Sequence, residues 1–236
     1  MAGHSQFANI KHRKESQDSK RSKIFTKIQR EITAAIKTGG DKSEEFNPRL
    51  RLAIIKAKGV NMPKDKIDAA IKKATGEGML DNFEAIRYDC YAPNGIPLII
   101  EALTDNKNRT AGEVRAIITK AGGNMGETGS LDFLFQKIGI ILYEKSGITF
   151  DDIFEKAIDL SAENIEENDN FYEILTKFED FHKIQVEISS IFGNPVEASI
   201  QYRALSKPEI TQEKLESVQK LVDALEDLDD VQSVWW

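Results

Sequence analysis

Eight Lys and Arg against two acids crowd the first thirty residues of a chain whose formal net charge is −7. Placed positive charge on an acidic protein most often meets phosphate, because a local field of one sign draws in a polyanion that the rest of the molecule repels. Lys20, Lys23, Lys27 and Arg30 fall at steps of 3, 4 and 3. On a helix that spacing aligns them along one stripe about 15 Å long. Phosphates of one nucleic-acid strand repeat within that reach, so several can be contacted at once. Lys11, His12, Arg13, Lys14 and Arg21 extend the same field toward the N-terminus. The bland alternative is a solvated helix face. Against it stand the scarcity of nearby acids, only Glu15 and Asp18, and the further cations Arg49, Arg51, Lys56, Lys58, Lys64, Lys66, Lys72 and Lys73.

Other reactive residue types carry less. His4, His12 and His182 are the three histidines, and no pair has helical metal-ligand spacing. Hydrogen bonding to phosphate or base edges, or plain exposure, suits them better than a metal site. Phe7 has two open roles, stacking on an unpaired base or anchoring the arm. Cys90 is the single cysteine, so an internal disulfide is excluded; it reads as a small residue packed in a strand, and a reducing cytoplasmic location is expected. Asp105-Asn-Lys-Asn-Arg-Thr110 reads as a capped helix start, or as a polar contact surface. Gly122-Gly-Asn-Met-Gly-Glu-Thr-Gly-Ser130 follows a helix rather than a strand and lacks the Gly-Lys-Ser/Thr ending of a nucleotide loop, so it reads as a tight connector or a docking loop. The acidic run Leu225-Glu-Asp-Leu-Asp-Asp230 reads as solvated surface that limits nucleic-acid contact to one side. No Ser or Cys nucleophile motif is present, and no enzymatic activity, cofactor, metal or small-molecule substrate is expected.

The elements that must hold these residues follow from periodicity. Apolar Ile24, Phe25, Ile28, Ile32, Ala35 and Ile36 recur at helical spacing over residues 18–38, and Gly39-Gly40 provides the stop. Asn47-Pro48 opens a second helix, with Leu52, Ala53 and Ile55 expected inward, and Pro63 opens a third that stops at Gly76. Beyond Gly78 the pattern changes to short strands and helices. Strands are expected at 85–92 and 96–104 about the turn Pro93-Asn94-Gly95, then at 131–136, 139–145, 164–168, 171–177, 197–205 and 231–235. Helices are expected at 110–121, 150–161, 178–191 and 211–228. The expected fold class is α+β: an N-terminal three-helix domain followed by two small α/β (ferredoxin-like) domains, one inserted in the other. The expected division is a flexible basic arm at 1–17, a helical domain at 18–80, a host domain at 81–130 plus 196–236, and an inserted domain at 131–195. Charge divides the chain as well. Residues 1–80 hold 18 Lys and Arg against 9 acids, and the remainder 14 against 30. No run approaches the roughly 18 uncharged apolar residues of a membrane span, and the basic N-terminal segment reads as mature sequence.

Met1-Ala-Gly-His-Ser, Ala8-Asn-Ile-Lys-His-Arg-Lys14, Lys23-Ile-Phe-Thr-Lys27, Asn47-Pro-Arg-Leu-Arg51, Asn61-Met-Pro-Lys-Asp65, Leu103-Thr-Asp-Asn-Lys-Asn-Arg-Thr110, the glycine-rich segment 122–130 and Leu225-Glu-Asp-Leu-Asp-Asp-Val-Gln232 resemble, in order and nearly end to end, the signatures of the YebC family, called in mitochondria the translational activator of cytochrome oxidase subunit one family. The resemblance implies three domains, one inserted in another. It implies a regulator of gene expression, described in the family both as a DNA-binding transcriptional regulator and as a ribosome-associated factor easing translation of proline runs. Phe7 stands where the family usually has Trp.

The expectation is therefore a non-enzymatic nucleic-acid-binding regulator. Its cations contact backbone phosphates, which position but do not specify. Ribosomal RNA is weighted above DNA, since no helix presents Asn, Gln and Arg together for reading base edges. The alternative is a protein-interaction adaptor working through the acidic α/β domains. The residues expected to bind nucleic acid are Lys11, His12, Arg13, Lys14, Lys20, Arg21, Lys23, Lys27 and Arg30.

Overall fold

A computed structural model describes residues 17–39, 41–76, 83–206 and 211–236. Helices α1 (Gln17–Gly39), α2 (Pro48–Gly59) and α3 (Lys64–Thr75) come first. The apolar face expected on α1 forms, with Phe25, Ile28, Ile32, Ala35 and Ile36 packed against Leu50, Ile54, Ile67 and Ala70. Asn47 caps α2, its Oδ1 accepting from Leu50 N at 3.0 Å. The same buried side chain donates through Nδ2 to Ala35 O and Asp41 O, both at 2.9 Å, and so also ties off the end of α1. A Cβ on Gly39 would sit 2.4 Å from that Nδ2. Asn47→Ala therefore loses a cap and a link between helices. We expect a loss of about 1–2 kcal/mol, read as a lowered denaturant midpoint.

The expected inward set of α2 needs correction. Leu52 and Ile55 leave the helical core and pack on the second sheet, while Leu50 and Ile54 take the inner positions. With apolar residues on both sides, α2 is glued to two cores at once.

The first sheet has the order β3-β1-β2-β8. Strands β1 (Glu84–Ala92) and β2 (Ile96–Thr104) pair antiparallel about Asn94 and Gly95, which both take left-handed backbone (φ 68° and 75°) as a tight hairpin turn demands. Helix α4 (Lys107–Lys120) follows, then the short β3 (Asn124–Met125) on β1. Helix α7 (Gln212–Glu226) and β8 (Val231–Trp235) close the unit, β8 pairing with β2. Leu98, Ile100 and Ala102, alternate residues of β2, meet Val114 and Ile118 of α4 and Val218, Leu221, Val222 and Leu225 of α7.

Two expected strands, 131–136 and 139–145, are one strand in the structure, β4 (Phe135–Glu144), entered through a 3-10 turn at Asp132–Leu134. Gly139, expected to open the second of these strands, lies inside β4. A Cβ there would stand 2.2 Å from Cδ2 of Phe181, so the glycine lets a helix approach the strand. After β4 come α5 (Phe150–Asp159), β5 (Asn164–Glu167), β6 (Phe171–Lys177), α6 (Phe181–Phe192) and β7 (Glu197–Ala204), in the order β5-β6-β4-β7. This is the split β-α-β-β-α-β arrangement. The strand at 197–205 was expected in the host sheet, but it pairs with β4 along its whole length. The link from Gly193 to Val196 is too short to cross to another sheet, and Val196 N already donates to Leu142 O at 2.9 Å.

Among the described residues, helices pack on the face of this sheet that carries Ile141 and Ile174. On the other face Ile138, Ile140, Leu142 and Leu175 form a separate buried cluster with Phe171 and Val196 packed against it. The sheet curls to do this: Arg203 on one edge strand lies 3.5 Å from Glu166 on the opposite edge. Between the two sheets Ile99, Leu131 and Phe135 make a further apolar contact with Tyr91, Tyr202 and Trp235 alongside.

Candidate nucleic-acid interface

Lys11, His12, Arg13 and Lys14 lie outside the described residues, and of Lys20 only its place in α1 is described. The structure does bring Lys23, Lys27 and Arg30 into one row on α1. The row does not stand open to solvent along its length, as a phosphate stripe was expected to: it meets the C-terminal end of α7, with Lys23 about half exposed and Lys27 and Arg30 partly buried. Lys23 Nζ donates to Asp227 O at 3.2 Å and lies 3.3 Å from the Asp227 carboxylate. Lys27 Nζ donates to Glu226 O at 2.6 Å. Arg30 Nη1 donates to Asp229 O at 2.7 Å and to Asp230 Oδ1 at 2.6 Å, with its guanidinium over the Phe83 ring. A helix C-terminus carries roughly half a negative charge on carbonyls that lack intrahelical partners, and cations settle there for that reason.

The run Leu225–Asp230, expected as solvated surface, is thus partly consumed inside the molecule. Asp230 is 4% exposed. Its Oδ2 accepts from Thr104 Oγ1 at 2.9 Å, Thr110 Oγ1 at 2.6 Å and Arg109 Nη2 at 2.7 Å. Burial alone pushes the Asp230 carboxyl up; the hydrogen bonds from Arg109, Thr110 and Thr104 and the charge of Arg109 outweigh it, leaving the group below the usual carboxylate range. The segment 105–110 is the capped start it resembled, with Asn106 Oδ1 accepting from Arg109 N at 3.1 Å. Its partner, Asp230, lies more than a hundred residues away, and no local signal in the sequence joins the two.

The exposed cations sit elsewhere on the helical unit. Lys64, Lys66, Lys72 and Lys73 of α3 and Arg21 of α1 are exposed, and among the described residues no acid lies within ion-pair distance of them. Lys66 Nζ and the Arg21 guanidinium stand over the same Phe25 ring, at 5.2 and 5.7 Å, which joins the two helices into one basic patch. Lys66 and Lys73 are seven residues apart, two turns along one face, or about 10 Å. The sequence showed the α3 lysines as extra charge; what it hid was that they, rather than the regular row on α1, hold the open surface.

Two groups that resembled chemistry are structural. The amides of the glycine-rich connector go to an internal acid: Gly129 N and Leu131 N each donate to Asp89 Oδ2 at 3.0 Å, and Gly126 N donates to Asp89 O at 2.8 Å. Arg87 grips the same carboxylate through two nitrogens at 2.7 and 3.0 Å. Cys90 is fully buried in β1, and burial followed by the charge of Asp89 pushes its thiol up to about 12, so it stays neutral.

Comparison with known proteins agrees along the whole chain. The model described as the TACO1/YebC protein N-terminal domain matches residues 5–77, and that described as the TACO1/YebC second and third domain matches 83–236. A relative from Wolbachia pipientis wMel, named "Probable transcriptional regulatory protein", is 48% identical over 99% of this chain and 96% of its own. One of the same name from Acetivibrio thermocellus is 47% identical over 100% and 98%. Among solved structures, a conserved hypothetical protein from Aquifex aeolicus superposes with a TM-score of 0.80 at 39% identity, covering 92% of this chain and 90% of that one. No helix among the described residues is long and apolar enough to cross a membrane.

Proposed function

This chain belongs to the TACO1/YebC family, and from that premise we propose that it is a non-enzymatic regulator of gene expression that binds nucleic acid through the phosphate backbone. The relatives' naming as transcriptional regulators supports the class. The observation that carries the physical mode is the exposed patch of Arg21, Lys64, Lys66, Lys72 and Lys73 on a chain of net charge −7. Lys11, His12, Arg13 and Lys14 precede α1 in sequence, and in this reading they add to the grip at the same end of the helix. Phosphate contact of this kind fixes position without reading sequence. That suits a structured RNA better than a promoter, so the finer proposal is association with ribosomal RNA and an action in translation, easing stretches such as proline runs.

The test is a salt series of RNA binding by fluorescence anisotropy. Each phosphate contact adds about 0.7–0.9 to the slope of log affinity against log salt, so at 0.1 M salt it is worth about 5-fold. The variant Lys66→Ala/Lys73→Ala is expected to bind roughly 20-fold more weakly with a slope shallower by about 1.5. Both lysines are exposed, so its melting temperature should match the wild type. Equal binding by the two proteins would defeat the phosphate-patch reading and favour an adaptor working through the acidic α/β units. Cross-linking in cells with sequencing of both RNA and DNA then separates the two modes: enrichment of ribosomal RNA supports translation, and discrete promoter peaks support transcription.

A further inference from the structure

The row Lys23, Lys27 and Arg30 has the spacing of a phosphate-binding stripe, yet it is closed over by the chain's own acidic turn. We propose that this contact is a latch: the end of α7 stands in for a phosphate backbone, so that nucleic acid and the first sheet unit compete for the same three cations. The proposal rests on the nucleic-acid reading above and names the regulation of that site.

The stand-in is chemical as well as positional. The row donates to oxygens bearing negative or partial negative charge: the carbonyls of Glu226, Asp227 and Asp229 and the carboxylates of Asp227 and Asp230. Three of these are carbonyls, which carry only the partial charge of a helix end, whereas each phosphate brings a full charge. An arriving strand therefore offers the cations a stronger partner than the one they leave.

The contact is also built to part. The apolar cluster of α1, α2 and α3 and the apolar cluster of β1, β2, α4 and α7 share no residue. By contrast, Leu52 and Ile55 of α2 pack into the core of the second sheet, and Ile99, Leu131 and Phe135 join the two sheets. Among the described residues, the junction between α1 and α7 is thus held by hydrogen bonds and ion pairs. The Lys23–Asp227 pair, with both side chains about half exposed, is of the kind that salt screens. Release leaves the buried acid of the first sheet unit largely satisfied: Oδ2 of Asp230 keeps Thr104, Thr110 and Arg109, while its Oδ1 and the carbonyls of Glu226, Asp227 and Asp229, at the end of the helix, lose the donors of the row. A closed latch lowers the apparent affinity by the fraction of molecules it holds shut, and an opened one returns that affinity.

The experiment uses the full chain carrying dyes at Glu45→Cys and Glu213→Cys, two exposed positions on either side of the junction; Cys90 is buried and does not label. Energy transfer is followed while a 20-base-pair RNA duplex is added. A second pair of proteins compares D227K, which repels Lys23, with D223K, which adds the same charge one turn earlier on α7. The expected result is a fall in transfer along the binding curve, low transfer in D227K before any RNA, and RNA binding by D227K at least about 5-fold tighter than by D223K. If the duplex binds while transfer stays constant and the two variants bind alike, the latch is wrong and the nucleic-acid reading stands. If neither variant nor wild type binds the duplex at 0.05 M salt, the nucleic-acid reading fails and takes the latch with it.

Discussion

Asp230→Ala melts about 6–20 °C below the wild type at pH 7. The carboxylate is 4% exposed and takes hydrogen bonds from four side chains, Arg30, Thr104, Thr110 and Arg109. Truncating it leaves two hydroxyls and two guanidiniums without their acceptor, and removing one partner of such a buried charged network costs about 3–5 kcal/mol. For a chain of this size each kcal/mol moves the melting temperature by about 2–4 °C. Arg30→Ala should cost clearly less, because Oδ2 of Asp230 keeps its three donors and only Oδ1 and the exposed Asp229 carbonyl lose theirs. The effect has a definite pH dependence. The folded carboxyl lies below its unfolded value, so its contribution is complete above the unfolded pKa and is lost as pH falls through the folded one. Calorimetry of wild type and Asp230→Ala should therefore show curves that separate at pH 7 and approach one another in strong acid. A variant melting within about 2 °C of wild type at pH 7 would mean the network is ornamental.

What the sequence disclosed and what it hid divide along a physical line. The helices of the N-terminal unit were legible because Ile28, Ile32 and Ile36 repeat on one face and Asn47, Gly39 and Gly76 punctuate the chain locally. The hairpin about Asn94 and Gly95 was legible for the same reason. The failures are all non-local. Gly139 reads as the start of a new strand until Phe181, some forty residues on, is seen to need the space. The strand at Glu197–Ala204 has no mark saying which sheet it joins; the short link after α6 decides it. The row Lys23, Lys27 and Arg30 was found correctly as a row, but periodicity gives only the face of a helix and not what lies opposite. Its partners at 226–230 sit about 200 residues away. A charge pattern thus located candidate binders, and only the packing showed which of them were already engaged.

The acids of the second sheet unit make the last strong expectation. Glu173 sits on the curled face of β6, 3% exposed, and among the described residues nothing hydrogen-bonds to its Oε2. Burial first, and then the charges of Glu166 and Glu197 against the opposing pull of Arg203, pushes its carboxyl up to about 7. The native state therefore holds a proton that the unfolded chain releases near pH 4.5. The sign follows: stability is full below pH 4.5, falls as pH rises toward 7, and is flat beyond. A shift of that size corresponds to about 3 kcal/mol at most. Glu173→Gln keeps the shape and removes the charge, so it should melt about 6–12 °C above wild type at pH 8 and at nearly the same temperature at pH 4.5. Thermal melts of the Gln variant across pH 4.5–8 decide the matter: a gap to wild type that does not widen with pH would show that Glu173 stays ionised in the fold, and that the curl held by Arg203 and Glu166 admits more water than its burial implies.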